Sequence, residues 1–207
     1  MSVSLKKGQK VNLSKDNSNL TKVTIGLGWD EVKQSKLPKW LGGKKKEEFD
    51  VDAIAFLLDK DGKIADTDDR VFYNHLRHES KCVEHKGDNL TGKGEGDSEQ
   101  ILVNLSKLPE KYDKIVFLAS IYKATEREQH FGMIKNAYIR LVDSNTNKEL
   151  YIYNLSENYQ GMTSMVFGEL YRRNGEWKFN AIGQPMEVWS IDQLSEKYGF
   201  NKKTKNK

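Results

Sequence analysis

The chain has 207 residues, of which 37% are hydrophobic, 10% aromatic and 31% charged. That size suits one large β domain or two small ones, with enough aromatic residues for a core. No apolar run approaches the ~20 residues that a membrane helix needs. The formal charge of +4 comes from the end of the chain. Lys202, Lys203, Lys205 and Lys207 account for all of it, so the rest is formally neutral. Residues 201–207 read as a basic, disordered, solubilising tail, and 1–200 as a single domain.

The opening segment Met1–Lys7 lacks the apolar stretch of a secretion signal, and Cys82 is the only cysteine. Both features fit a cytoplasmic protein in a reducing compartment. Strand signals then dominate. Lys22–Trp29 alternates and is β-branched at its start; Phe49–Leu58 begins by alternating and ends as an apolar run. Ile101–Val103, Lys114–Tyr122, Ala137–Val142 and Leu150–Tyr153 read as further strands. Met165–Arg173 and Glu176–Gly183 flank Asn174-Gly175, the dipeptide suited to a two-residue turn with φ > 0 at both positions. Helix is scarce. Ser106–Asp113 is expected to form a helical turn, and Ser190 to cap a helix over Ile191–Tyr198, boxed by Gln193 and ended by Gly199. Residues 34–48 form a lysine-rich excursion. Many short strands joined by turns predict an all-β fold, a β-sandwich with a short C-terminal helix.

The most chemically loaded stretch is Gly87–Glu99, where Asp88, Asn89, Thr91, Glu95, Asp97 and Glu99 alternate with four glycines. Hard oxygen donors on a bending backbone suit Ca²⁺, which takes six to eight of them. Upstream, Asp50 and Asp52 lie two apart in a strand signal, so both carboxylates project from one face and need a cation or donor between them. Asp30 ends the preceding strand signal. The expectation is a sandwich with calcium-binding loops at one end. The loop is not an EF-hand: Leu90 stands where the third position needs oxygen, and Lys93 where the glycine belongs.

In order along the chain, Gly26-Leu27-Gly28-Trp29-Asp30, Phe49–Leu58, Gly87–Asp97, Asn136–Arg140 and Phe167–Arg173 resemble the tellurium-resistance TerD/TerE stress-protein family. The resemblance runs from about Ser2 to Gly199. It implies a calcium-binding β-sandwich with neighbouring Ca²⁺ sites at one end. It also implies resistance to tellurite and other chemical or phage stress, exerted by non-enzymatic cytosolic proteins with membrane-associated partners. The metal candidates at matching positions are Asp30, Asp50, Asp52, Asp88, Asp97 and Glu99, with Asn89 beside them.

Other readings compete. His75, His78, Cys82 and His85 supply enough N/S donors for zinc, although an extended chain would splay them. Adjacent carboxylates are also compatible with a metal-dependent hydrolase. Calcium at loop tips, helped by the lysine tail, is compatible with docking to anionic lipid. Tyr171, Arg172, Arg173 and Trp177 suit base stacking, but a hairpin that buries its aromatics explains them better. No nucleic-acid partner is expected.

Overall fold

The computed structural model describes residues 2–31, 49–87, 96–155, 157, 159–188 and 190–200. The lysine-rich excursion, the stretch 88–95 and the tail 201–207 lie outside the described residues. Two six-stranded sheets face each other. Sheet A runs β1 (Val3–Ser4), β10 (Lys148–Asn154), β9 (Ile134–Asp143), β3 (Lys22–Glu31), β7 (Glu99–Asn104) and β6 (Val83–His85). Sheet B runs β2 (Lys10–Asn12), β12 (Glu176–Met186), β11 (Ser164–Arg173), β8 (Lys114–Ile121), β4 (Val51–Leu58) and β5 (Arg70–Val71). Apart from the parallel β1–β10 pair, the described ladders are antiparallel.

The expected strands are all present, most of them longer at their ends than the sequence suggests. The Asn174-Gly175 turn has φ of 56° and 76°, the double positive φ that fixes the β11–β12 register from Arg173↔Glu176 onward. Residues 106–113 form turns, with the Tyr112 amide donating to the Pro109 carbonyl, and no helix is assigned there. Pro109 lacks a backbone N–H and sits inside that stretch, which works against continued helix. A short α1 (Leu13–Asp16) packs on β12 and buries Leu13. The C-terminal α2 (Ile191–Glu196) starts where Ser190 Oγ accepts from the Gln193 amide at 3.2 Å. Gly199 follows at φ 75°.

Alternation along the strands builds the core. Val23, Ile25, Leu27, Ile101, Val103, Ile139 and Leu141 of sheet A meet Val51, Ala53, Ala55, Leu57, Phe117 and Phe179 of sheet B. Burying each large apolar side chain contributes about 1.5–3 kcal/mol, so this layer dominates the fold's stability. Strand β4 is buried at all eight positions. Its other face, Ile54, Phe56 and Leu58, packs under Leu194 of α2 and Phe200. The C-terminal segment is therefore a third layer over sheet B, and the apolar run at the end of β4 is the sequence's trace of it.

Candidate functional site

Strand polarity places the acidic segments at one end of the sandwich. Leu27 of β3 pairs with Glu99, at the start of β7, and His85, at the end of β6, pairs with Ile101. In sheet B, β4 begins with Val51↔Ile121 and Asp52↔Ser120, at the end of β8. The far ends meet elsewhere, where Trp177 Nε1 donates to the Leu105 carbonyl after β7 and Leu58↔Lys114 closes β4 on β8. Asp30, Asp50, Asp52, Asp97 and Glu99 thus share an end. Asp88 and Asn89 lie outside the described residues.

Although they share an end, these side chains leave from different faces. Asp50 and Asp52 alternate with Val51 and Ala53, so they take the outer face of sheet B beside Ile54. They are 9% and 6% exposed. Arg127 Nη1 stands 3.6 Å from Asp50 Oδ2. Asp52 and Ser120 line a recess of about 420 Å³, with Phe72, Tyr73, Tyr122 and Lys123 around it. Tyr73 stands edge-on to both Phe72 and Tyr122, at 5.4 and 6.2 Å between centroids.

Asp97 lies on the outer face of sheet A. Its carboxylate fills the space over Gly26, where any Cβ would collide with it. Arg140, across the ladder from Gly26, grips it with a fork: Nε donates to Oδ1 at 2.6 Å and Nη2 to Oδ2 at 3.1 Å. Gln100 Nε2 donates to Oδ2 at 3.0 Å, and the Tyr138 hydroxyl lies 3.3 Å from Oδ1. Gly28 makes room for the Tyr138 ring in the same way. The two glycines are thus explained by close packing on a strand. The hydrogen bond to Asp97 strengthens the hold of Arg140 on its proton, and burial, aided by the Asp97 charge, pushes the Tyr138 hydroxyl up to about 12. A forked guanidinium–carboxylate pair with the carboxylate 1% exposed is the strong kind of charge-assisted contact. Asp97 therefore pins the downstream end of the acidic stretch to β9.

Glu99 points the third way, on the same face as Ile101 and Val103, between the sheets. His85 Nε2 stands 2.9 Å from Glu99 Oε2, with both side chains 1% exposed. The Gly87 amide donates to His85 Nδ1 at 3.2 Å, so the ring proton sits on Nε2, toward Glu99. The N–H is not aligned on the oxygen, which makes this an electrostatic contact more than a directed hydrogen bond. Asp30 is exposed at the end of β3 and accepts from Asn136 Nδ2 at 2.7 Å.

Of the expected metal set, the structure thus brings Asp50 and Asp52 together, while Asp97 and Glu99 have cationic or proton-donating partners. Among the described residues, the one set of three or more His, Cys, Asp or Glu donors within 4.8 Å is elsewhere, at Asp68, His78 and Glu79. The sequence reading missed Arg140, because nothing local ties it to a carboxylate 43 positions away. Arg172 lies over the Trp177 ring at 4.8 Å and donates to the Leu108 carbonyl, a packing role for the hairpin cation. Among the described residues, no helix is long and apolar enough to cross a membrane.

A two-sheet sandwich with Asp30, Asp50, Asp52, Asp97 and Glu99 at one end, and a helical layer over one sheet, defines the class: an all-β sandwich protein. A solved structure of a homologue of telluride resistance protein (TerD) from Streptomyces coelicolor A3(2) has this fold, with a TM-score of 0.61 at 18% identity, covering 84% of this chain and 94% of that one. The TerD domain model matches residues 1–198. General stress protein 16U of Bacillus subtilis is 50% identical over 200 residues, 97% of this chain and 98% of the relative. Tellurium resistance protein TerD of Serratia marcescens is 42% identical over 201 residues, 97% and 99% of the two chains. The chain belongs to the TerD family of tellurium-resistance and stress-response proteins.

Proposed function

We propose that this chain is a calcium-binding, non-enzymatic stress protein that protects against tellurite and related chemical stress through protein or membrane-associated assemblies in the cytoplasm. Family membership supports the stress role. Calcium rests on one observation: two nearly buried carboxylates, Asp50 and Asp52, on one face of β4 at the acidic end. Arg127 Nη1 lies 3.6 Å from Asp50 Oδ2. Carboxylate oxygens that project together from one face are the hard donors a divalent ion such as Ca²⁺ takes. Asp50 and Asp52 would hold the ion, with Asp88 and Asn89 as the donors of the acidic stretch and Asp30 at the rim. Asp97 and Glu99 serve by holding the residues next to that stretch, through Arg140 and His85. Bound calcium would neutralise the tip and order it as a docking surface.

Cells lacking this chain test the reading. Resistance to tellurite should return with the unaltered chain and fail with Asp50→Asn/Asp52→Asn produced at the same level. Full resistance from the double variant removes calcium at this pair from the function. The hydrolase alternative predicts metal-dependent turnover in a broad esterase and phosphatase screen, and the lipid alternative predicts calcium-dependent sedimentation with anionic vesicles.

A further inference from the structure

The histidine-rich segment ahead of the acidic stretch does not form the four-donor zinc set that its spacing suggests. Cys82 Sγ donates to the carbonyls of Ser80 and Lys107, at 3.3 and 3.2 Å, and His85 turns to Glu99. The remaining two histidines converge on a carboxylate. His75 Nε2 is 3.0 Å from Asp68 Oδ1, and His78 Nε2 is 3.3 Å from Asp68 Oδ2. Glu79 completes a trio with Asp68 and His78, their donor atoms all within 4.8 Å of one another. A 3₁₀ turn (Thr67–Asp69), capped reciprocally by Asp66 and Asp69, presents Asp68. The Glu79 amide, donating to Asp68 Oδ2 at 2.8 Å, locks the two segments together.

The hydrogen bonding of His75 points to a cation. Its Nδ1 lies 2.8 Å from the Arg70 carbonyl, which only accepts, so Nδ1 carries the ring proton. Nε2 of the neutral ring is then a bare lone pair facing a carboxylate oxygen at 3.0 Å. Two acceptors at that distance repel unless a proton or a metal ion lies between them. A ring whose Nδ1–H is held by a backbone carbonyl is the arrangement that aims Nε2 at metals. The 3.3 Å between His78 Nε2 and Asp68 is close to the edge of a tetrahedron with bonds of about 2.0–2.1 Å.

Charge and access agree with this. Three carboxylates, Asp68, Asp69 and Glu79, gather here, and Lys111 stands 3.8 Å from Glu79 in an exposed pair of little strength. The Asp68 and Glu79 side chains are 26% and 68% exposed, which leaves an entry path, while the buried His78 gives a fixed wall. Two imidazoles with carboxylates favour zinc-type ions over calcium or magnesium.

We propose that Asp68, His78 and Glu79 bind a divalent transition-metal ion of the zinc type, with His75, on the other oxygen of Asp68 and outside the 4.8 Å trio, turning in as a fourth donor. The site lies beside Tyr112, away from the acidic tip. On binding, the His78 ring proton moves to Nδ1, toward Ser80 Oγ at 2.7 Å, in place of the 3.1 Å contact from the Ser80 amide.

The untagged full chain, stripped with chelator and held in excess Ca²⁺, is titrated calorimetrically with Zn²⁺ and followed in the visible with Co²⁺. One zinc equivalent and a tetrahedral cobalt spectrum are expected. His75→Gln and Glu79→Gln, both at accessible positions, should each weaken zinc by about tenfold or more. Asp50→Asn/Asp52→Asn should leave zinc binding unchanged, which separates this site from the calcium proposal. Absence of zinc binding, or unchanged affinity in the His75→Gln/Glu79→Gln double variant with native circular dichroism, overturns the assignment.

Discussion

His85 and Glu99 face each other at 2.9 Å between the two sheets, and the acidic stretch 88–95 lies between them in sequence. The contact joins the last residue of β6 to the first of β7, while the Lys86 amide donates to the Gln100 carbonyl at 2.9 Å alongside. Residues on either side of that stretch in sequence are thus held, His85 against Glu99 and Asp97 by Arg140. An oxygen-rich segment anchored at both ends loses less entropy when it wraps an ion than a free one does.

Replacing His85 by Ala removes a buried proton donor that faces Glu99. The cost should be roughly 1–3 kcal/mol, the range for withdrawing one partner from a buried polar group. Replacing both, as His85→Leu/Glu99→Leu, should recover much of that loss, since two apolar groups carry no desolvation penalty. Urea unfolding of the calcium-free chain measures both. A double variant that is less stable than His85→Ala contradicts this account of the pair.

Gly26→Ala places a methyl into the Asp97 carboxylate. Overpacking of this kind costs about 1–3 kcal/mol. The cost should shrink when Asp97→Ala is made as well, because the obstacle is gone. Strictly additive losses in that double-mutant cycle would mean that Gly26 is required for some other reason.

Asp69 gives a pH signature. Burial opposes its charge, but hydrogen bonds from His78, Tyr112 and the Asp66 amide outweigh burial and hold its carboxyl below the ordinary 3.8. A lowered folded pKa means that the unfolded chain takes up the proton first. The stabilisation is therefore complete above about pH 4 and is lost as pH falls through the depressed folded value. The stability gap between the unaltered chain and Asp69→Asn should be wide at pH 6 and narrow progressively below pH 3.8. A gap that stays constant to pH 2 rules the linkage out.

Much of the fold is legible from local chemistry. Alternation in Lys22–Trp29 and Ile101–Val103, and the Asn174-Gly175 turn, mark strands and a register because each depends on neighbours in sequence. The gathering of Asp30, Asp50, Asp52, Asp97 and Glu99 at one end also follows from strand order. Which face each side chain takes does not. Asp97 crosses over Gly26 to meet Arg140, and Glu99 turns inward to His85, through pairings fixed only when β3, β7 and β9 align. Likewise, the zinc-like spacing of His75, His78, Cys82 and His85 overlooks the turn at Lys81, whose φ of 58° helps separate Cys82 and His85 from the first two. The β strands β1, β2 and β5 are two or three residues long and take their form from their partners, leaving little signal of their own.

Calorimetric titration of Ca²⁺ into the chelator-treated full chain is the most direct measurement. Saturable binding that Mg²⁺ replaces poorly, and that Asp50→Asn/Asp52→Asn abolishes while the variant keeps its native circular dichroism, is the predicted result. No calcium heat and no calcium-dependent rise in melting temperature, or binding that survives the double variant undiminished, would contradict the proposal that this carboxylate pair holds the ion.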